Sequence, residues 1–338
     1  MMAVAAVALA LGAPMPAPAS ARRLSVHGNQ IRLPDGTPFH MRGFNLLYML
    51  DSPFSRPRED TDTLMKTLLP GTNVVRLVIL HWDDRPTEAG GQDNANDCSE
   101  VAIDELEMPE LGDREQTIST RCIRQLDAVL RWTAAHGLWA IITARASFAA
   151  GEHDESGELG ATVFTDVEVR SRFIKMWTVI ARRYRTFDMV AGYEILSEPR
   201  VQPNEVTAEH VRGFYQEAVG AVQAVDRRTP CLVGAAPYYS RSNLEDALLP
   251  DHHNIMYMFN FFVPRSYVQH LNPVLRYPGP MPCCDVHDKD HRRCCPNENG
   301  DLTSLSCCTR SIPVNRTILE SILMEPLRFG TKHDVPVL

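Results

Sequence analysis

The feature that most narrows the fold is the run Val74-Val75-Arg76-Leu77-Val78-Ile79-Leu80. Apolar at every position but one and rich in β-branched side chains, it has the character of a strand covered on both faces. Similar runs occupy residues 138–143, 189–196, 231–236 and 254–259, and a further strand is expected over 39–45. Segments with helical spacing lie between them. Ile123, Leu126, Val129, Leu130 and Trp132 recur along one face of residues 118–136, and Gly137 supplies a stop. Phe173, Trp177, Ile180 and Ala181 do the same over 167–184, and residues 60–69, 208–225 and 316–329 also read as helices. Trp132, Trp139 and Trp177 fall inside these elements and are expected in the core. Strands alternating with helices mean parallel βαβ units, and so many in succession favour a closed (β/α)8 TIM barrel over an open sheet. No fixed-period repeat points to a solenoid. The last residues, Val335-Pro336-Val337-Leu338, read as the start of a seventh strand. The barrel is therefore expected to be incomplete at its C-terminus, with strands seven and eight cut short or missing.

Three segments break the alternation. Residues 1–21 form a small-apolar run followed by a Pro/Ala/Ser stretch ending Ala19-Ser20-Ala21. The run is too short to span a bilayer and fits a secretory signal peptide, apart from its missing basic n-region. Residues 22–338 then make up the barrel unit. Residues 83–115 are acidic and unpatterned, an excursion expected over the barrel mouth. Residues 282–313 carry the doublets Cys283-Cys284, Cys294-Cys295 and Cys307-Cys308 in a polar stretch with little to bury. Such a segment needs staples, and disulfides in a secreted protein are the expected ones. His287 and His291 leave a metal knuckle as the other reading, although adjacent doublets fit one tetrahedral zinc poorly. Nine cysteines leave at least one thiol over, and Cys231, at the start of an apolar strand, is the natural one. Asn315-Arg316-Thr317 is a glycosylation sequon compatible with a secreted chain.

A net charge of −8 argues against a nucleic-acid partner, which wants clustered Lys and Arg. No segment reads as a transmembrane span, and no cofactor motif is evident.

In a (β/α)8 barrel the reacting groups stand where strands end, at the C-terminal face. Glu198 takes such a place: it follows the strand at 189–196, and Pro199 prevents the strand from continuing. A half-buried carboxyl there suits a general acid at a glycosidic oxygen. Trp82, Tyr238, Tyr239, Phe261 and Phe262 follow strand ends and could either stack on sugar rings or pack a loop.

Gly192-Tyr193-Glu194-Ile195-Leu196-Ser197-Glu198-Pro199-Arg200 resembles the signature of glycoside hydrolase family 5 (clan A), in which Asn-Glu-Pro closes the fourth strand. Phe39-His40-Met41-Arg42-Gly43-Phe44-Asn45 resembles the family's first strand, and Asn73-Val74-Val75-Arg76-Leu77 its second. The resemblance implies a cellulase-like retaining glycosidase with Glu198 as acid/base, acting on a β-linked polysaccharide or oligosaccharide without a cofactor. It assigns Arg76 to holding the nucleophile ionised; the other reading pairs Arg76 with Glu194 inside the barrel. Ser197, Asn260, Phe262, Trp82 and Tyr238 are the further substrate-site candidates. The chain departs from the pattern at several positions. Ser197 stands where the family has Asn, Thr143-Ala144-Arg145-Ala146 lacks the third-strand His, and Asn260-Phe261-Phe262 replaces His-x-Tyr. The nucleophilic Glu ends the family's seventh strand and is not present in this chain, so it is expected just beyond Leu338. These departures keep open an impaired homologue that binds carbohydrate or protein.

Overall fold

A computed structural model describes residues 23–47, 71–82, 120–146, 158–199, 201, 206–268, 274–282 and 311–338. An antiparallel hairpin comes first, β1 (Ser25–His27) and β2 (Gln30–Arg32), turning at Gly28, whose φ of +57° suits a residue without a Cβ. The barrel strands are β3 (Gly43–Leu47), β4 (Val74–Trp82), β5 (Trp139–Ala146), β6 (Val190–Glu194), β7 (Cys231–Gly234) and β8 (Ile255–Met258). They pair in that order as one six-stranded parallel sheet. The helices are α1 (Thr120–Ala135), α2 (Glu158–Thr165), α3 (Val167–Tyr184), α4 (Ala208–Val225), a short α5 (Arg265–Val268) and α6 (Arg316–His333). Residues 335–338 continue the sheet beyond β8. Tyr257 N donates to Pro336 O at 3.0 Å, Leu338 N to Tyr257 O at 2.8 Å and Phe259 N to Leu338 O at 3.1 Å. The order expected for barrel strands one to six, and the start of the seventh, is the order found.

The pleat sorts the apolar side chains into two layers. Val75, Leu77, Ala140, Ile142, Tyr193 and Val233 point outward and pack with the helices in the larger core. Val74, Ile141, Ala191, Leu232 and Met256 point inward, and close against Leu24 and Ile31 of the hairpin segment. Since those inward residues lie at or near the strand starts, the hairpin plugs the N-terminal end of the barrel. Arg23 anchors it there, donating to Tyr184 O at 3.0 Å and to Thr229 beside the buried Asp226. The polar end of the sheet is thus left at the other mouth.

Local chemistry fixes the helix starts. Asp166 caps α3 by accepting from Glu168 N (2.8 Å) and Val169 N (3.0 Å), and Thr207 caps α4 by accepting from His210 N (3.3 Å). Trp177 of α3 is fully buried, and its indole N–H donates to Ile195 O at 2.8 Å, fixing the helix to the segment that leads into Glu198. Trp132 and Trp139 are also buried.

Some expectations shift. The first barrel strand starts at Gly43 rather than residue 39, because Phe39 N donates to Ile31 O and its side chain packs with the hairpin cluster. Helix α2, not anticipated, buries Val163 and Phe164 despite a Gly and two Thr within it. The helix at 60–69, the leader, the acidic excursion and the cysteine doublets lie outside the described residues. The segment with the doublets is bracketed by a ribbon, β9 (Gly279–Pro282) pairing antiparallel with β10 (Ser311–Val314). Among the described residues no helix is long and apolar enough to cross a membrane.

Cys231 is a free, fully buried thiol, and burial pushes its pKa up. We expect the Cys231 peptide to stay unalkylated when native protein meets iodoacetamide and to be modified only in denaturant. Modification before unfolding, seen by mass spectrometry, would contradict this burial.

Candidate active site

The site begins below its mouth, with a buried ion pair. Register places Asn45 beside Arg76, and Thr143 beside Glu194, on the inner face of the sheet. Arg76 grips Glu194 through two parallel bonds, Nε to Oε2 and Nη2 to Oε1, each 2.5 Å. Thr143 Oγ1 donates to Oε2 at 2.9 Å and the Tyr239 hydroxyl to Oε1 at 2.8 Å. Four donors therefore surround a carboxylate with no solvent exposure, as burial of a charge demands. Burial works against the Arg76 charge, but the facing Glu194 outweighs it and raises the guanidinium pKa further above its ordinary value. Arg76 is thus cationic at any working pH.

The strand then passes upward into the candidate acid. Ile195 N donates to Leu232 O (3.1 Å) and Ser197 N to Ala144 O (2.8 Å), so the ladder persists past β6. Arg76 Nη2 also donates to Ser197 Oγ at 2.7 Å. Glu198 breaks the run with a φ of +43°, a left-handed conformation rare in a non-glycine residue and costly by about 1–2 kcal/mol. Its side chain is half-buried, and Asn260 holds it: Nδ2 donates to Glu198 Oε1 at 2.6 Å and to Tyr238 O at 2.9 Å. Both partners are acceptors, so the amide nitrogen must be the atom facing them. The Asn260 N–H donates to Tyr239 O at 2.9 Å, and Tyr238 N to Pro199 O at 2.8 Å. The loop after β7 is strained in the same sense, with Tyr238 at φ +52° and Tyr239 at +55°.

The structure thus brings Arg76, Ser197, Glu198 and Asn260 to one end of the sheet. Ser197 is only 5% exposed and its hydroxyl is used by Arg76. Asn260 addresses Glu198 directly. Tyr238 and Phe262 are about half exposed, at 53% and 50%, and present open aromatic faces after β7 and β8. Tyr239, read from the sequence as a group to stack on sugar or pack a loop, is buried, its ring lying over Gly234 and its hydroxyl reaching Glu194. Phe261 packs on Val263, Val314 and Ile322. Trp82 ends β4, but its side chain, like that of Arg145, lies outside the described residues. The contributions of Thr143 and Tyr239 escaped the sequence. The available signal was Glu194 itself, a carboxylate inside an otherwise apolar strand, which must be met by several donors. Among the described residues no group of three or more His, Cys, Asp or Glu is placed to hold a metal ion.

A parallel sheet whose polar side chains gather at the carboxyl ends of its strands defines the class, a (β/α) barrel that works at its C-terminal mouth. The profile of the cellulase family, glycosyl hydrolase family 5, matches residues 33–293, and the chain belongs to that family. The endoglucanase Cel5A of Thermotoga maritima is similar in structure, with a TM-score of 0.54 and 17% identity over 88% of this chain and 77% of that one. The Clostridioides difficile cellulose synthase subunit Z gives 0.53 and 15% over 88% and 79%. The cellulase Cel5C_n gives 0.46 and 19% over 72% of this chain and 64% of that one, so this chain spans less than two thirds of that relative. No curated protein matched the chain.

Proposed function

We propose that the protein hydrolyses O-glycosidic bonds in a β-linked polysaccharide by a retaining mechanism, with Glu198 as proton donor. The observation that carries this reading is the fixing of Glu198. A half-buried carboxyl at the carboxyl end of β6 is aimed by Asn260, while the carboxylate beneath it, Glu194, is committed to Arg76. Glu198 would protonate the departing oxygen, then take a proton from the water that releases the sugar. The attacking carboxylate is expected at the far end of the seventh strand. Residues 335–338 run parallel to β8, toward the mouth that holds Glu198, which supports this reading, and a retaining pair requires about 5–5.5 Å between carboxyls. Tyr238 and Phe262 would stack on sugar rings. Secretion accords with the leader and the cysteine doublets.

Ser197 favours a second reading, a homologue that binds carbohydrate without turnover. Its hydroxyl is buried and held by Arg76, so the reach of the family's Asn is absent. One assay separates the two. Full-length protein is incubated with soluble β-glucans and β-mannans, and reducing ends and glycan binding are both measured. Reducing ends that disappear in Glu198→Gln support hydrolysis; binding with no reducing ends supports the second reading and sinks the first.

A further inference from the structure

We infer that Tyr239 is a positioning residue for Glu198, acting through the backbone that leads into it. The inference rests on the hydrolase reading above. Tyr239 is 1% exposed, so it cannot touch a substrate. Its ring crosses the end of β7 at a place prepared for it: a Cβ on Gly234 would stand 2.3 Å from its Cδ1 and 2.6 Å from its Cε1. Glycine at 234 is therefore what lets the ring reach the neighbouring strand. There the hydroxyl lies 2.8 Å from Glu194 Oε1 and 2.5 Å from Leu196 O. One phenolic proton serves two acceptors, one on the ion pair and one on the backbone two residues before Glu198.

The same residue is tied to the other side of Glu198. Its carbonyl accepts from Asn260 N at 2.9 Å, and the Asn260 amide donates to Glu198. The contacts form a closed circuit: Glu198 side chain, Asn260, Tyr239 backbone, Tyr239 hydroxyl, Leu196, and back along the chain to Glu198. Two consecutive left-handed tyrosines persist only where the surroundings over-determine them, and this circuit does so. Burial and the Glu194 charge both push the Tyr239 pKa up, so the proton that bridges the two acceptors is retained. Loss of the hydroxyl frees Leu196 O and loosens the aim of the acid while leaving the acid in place.

The test is Tyr239→Phe in full-length protein, assayed on two aryl β-cellobiosides. One carries 2,4-dinitrophenolate, which leaves without protonation; the other carries phenolate, which needs it. We expect kcat/KM on the phenyl substrate to fall about tenfold to a hundredfold, part of what general acid catalysis supplies, with KM changed less than about twofold. On the dinitrophenyl substrate the fall is expected within about threefold. Gly234→Ala, which displaces the ring, should reproduce the pattern. The ratio of the two substrates does not depend on how much protein is folded, so a purely structural role lowers both equally and overturns the assignment. An unchanged ratio in both variants overturns it as well. Wild-type protein inert on both substrates overturns the hydrolase reading, and this assignment with it.

Discussion

Glu194→Gln is expected to lower the unfolding free energy by about 3–5 kcal/mol, because it leaves the Arg76 cation buried without its counter-charge. The Arg76 side chain is 15% exposed and that of Glu194 not at all, so water cannot replace the lost partner. The Gln amide group also presents donors to a guanidinium that has only donors. Arg76→Met should cost a similar amount, stranding the carboxylate with the hydroxyls of Thr143 and Tyr239. The double change, Arg76→Met with Glu194→Gln, should cost clearly less than the sum of the singles, since neither charge is then left alone. Denaturant melts of the three variants measure this coupling. Additive losses would show that the two side chains do not act as a pair.

The larger kinetic effect belongs to Glu198. Glu198→Gln keeps the shape and the Asn260 contact but carries no proton to give, so kcat/KM on an unactivated β-glycan should fall about 10²- to 10⁴-fold. Stability should change little, because the side chain is half-buried and its one described hydrogen bond, from Asn260, has an amide oxygen to accept it in the variant. Asn260 separates this position from its surroundings in a useful way. It has no titrating group, so its amide N–H stays a donor toward Glu198 at every pH.

Much of the frame was legible in the sequence, for identifiable reasons. Helices 167–184 and 208–225 have the predicted bounds because a capping Asp166 and a capping Thr207 sit just ahead of strongly sided apolar patterns. The run from Val74 announced β4 because a strand covered on both faces has no room for alternation. Helix α2 was illegible, as its few apolar residues are outnumbered locally by small and polar ones. Glu198 was readable from its place between a buried strand and a proline. Its contact with Asn260 was not, since the pair is 62 residues apart and meets only through the order of strands in the sheet. Tyr238 and Tyr239 look alike in sequence, yet one is exposed and the other buried. Tyr239 is the one whose ring finds room over Gly234 and whose hydroxyl meets Glu194, contacts that no composition or period records. Arg76 was read as a partner of the nucleophile with Glu194 as the other choice; the geometry shows the Glu194 pair and does not bear on the role toward the nucleophile.

The most direct measurement of the central claim is chemical rescue. Glu198→Ala in full-length protein is incubated with 2,4-dinitrophenyl β-cellobioside, with and without sodium azide. The activated phenolate departs without an acid, so the glycosyl-enzyme forms but waits for a base that is no longer there. Azide needs no base and fits the space vacated by the carboxyl, on the face from which water would arrive. The account predicts slow turnover that azide accelerates, with β-cellobiosyl azide as the product. Wild-type rates in Glu198→Ala, or an azide-insensitive rate with no glycosyl azide formed, would contradict it.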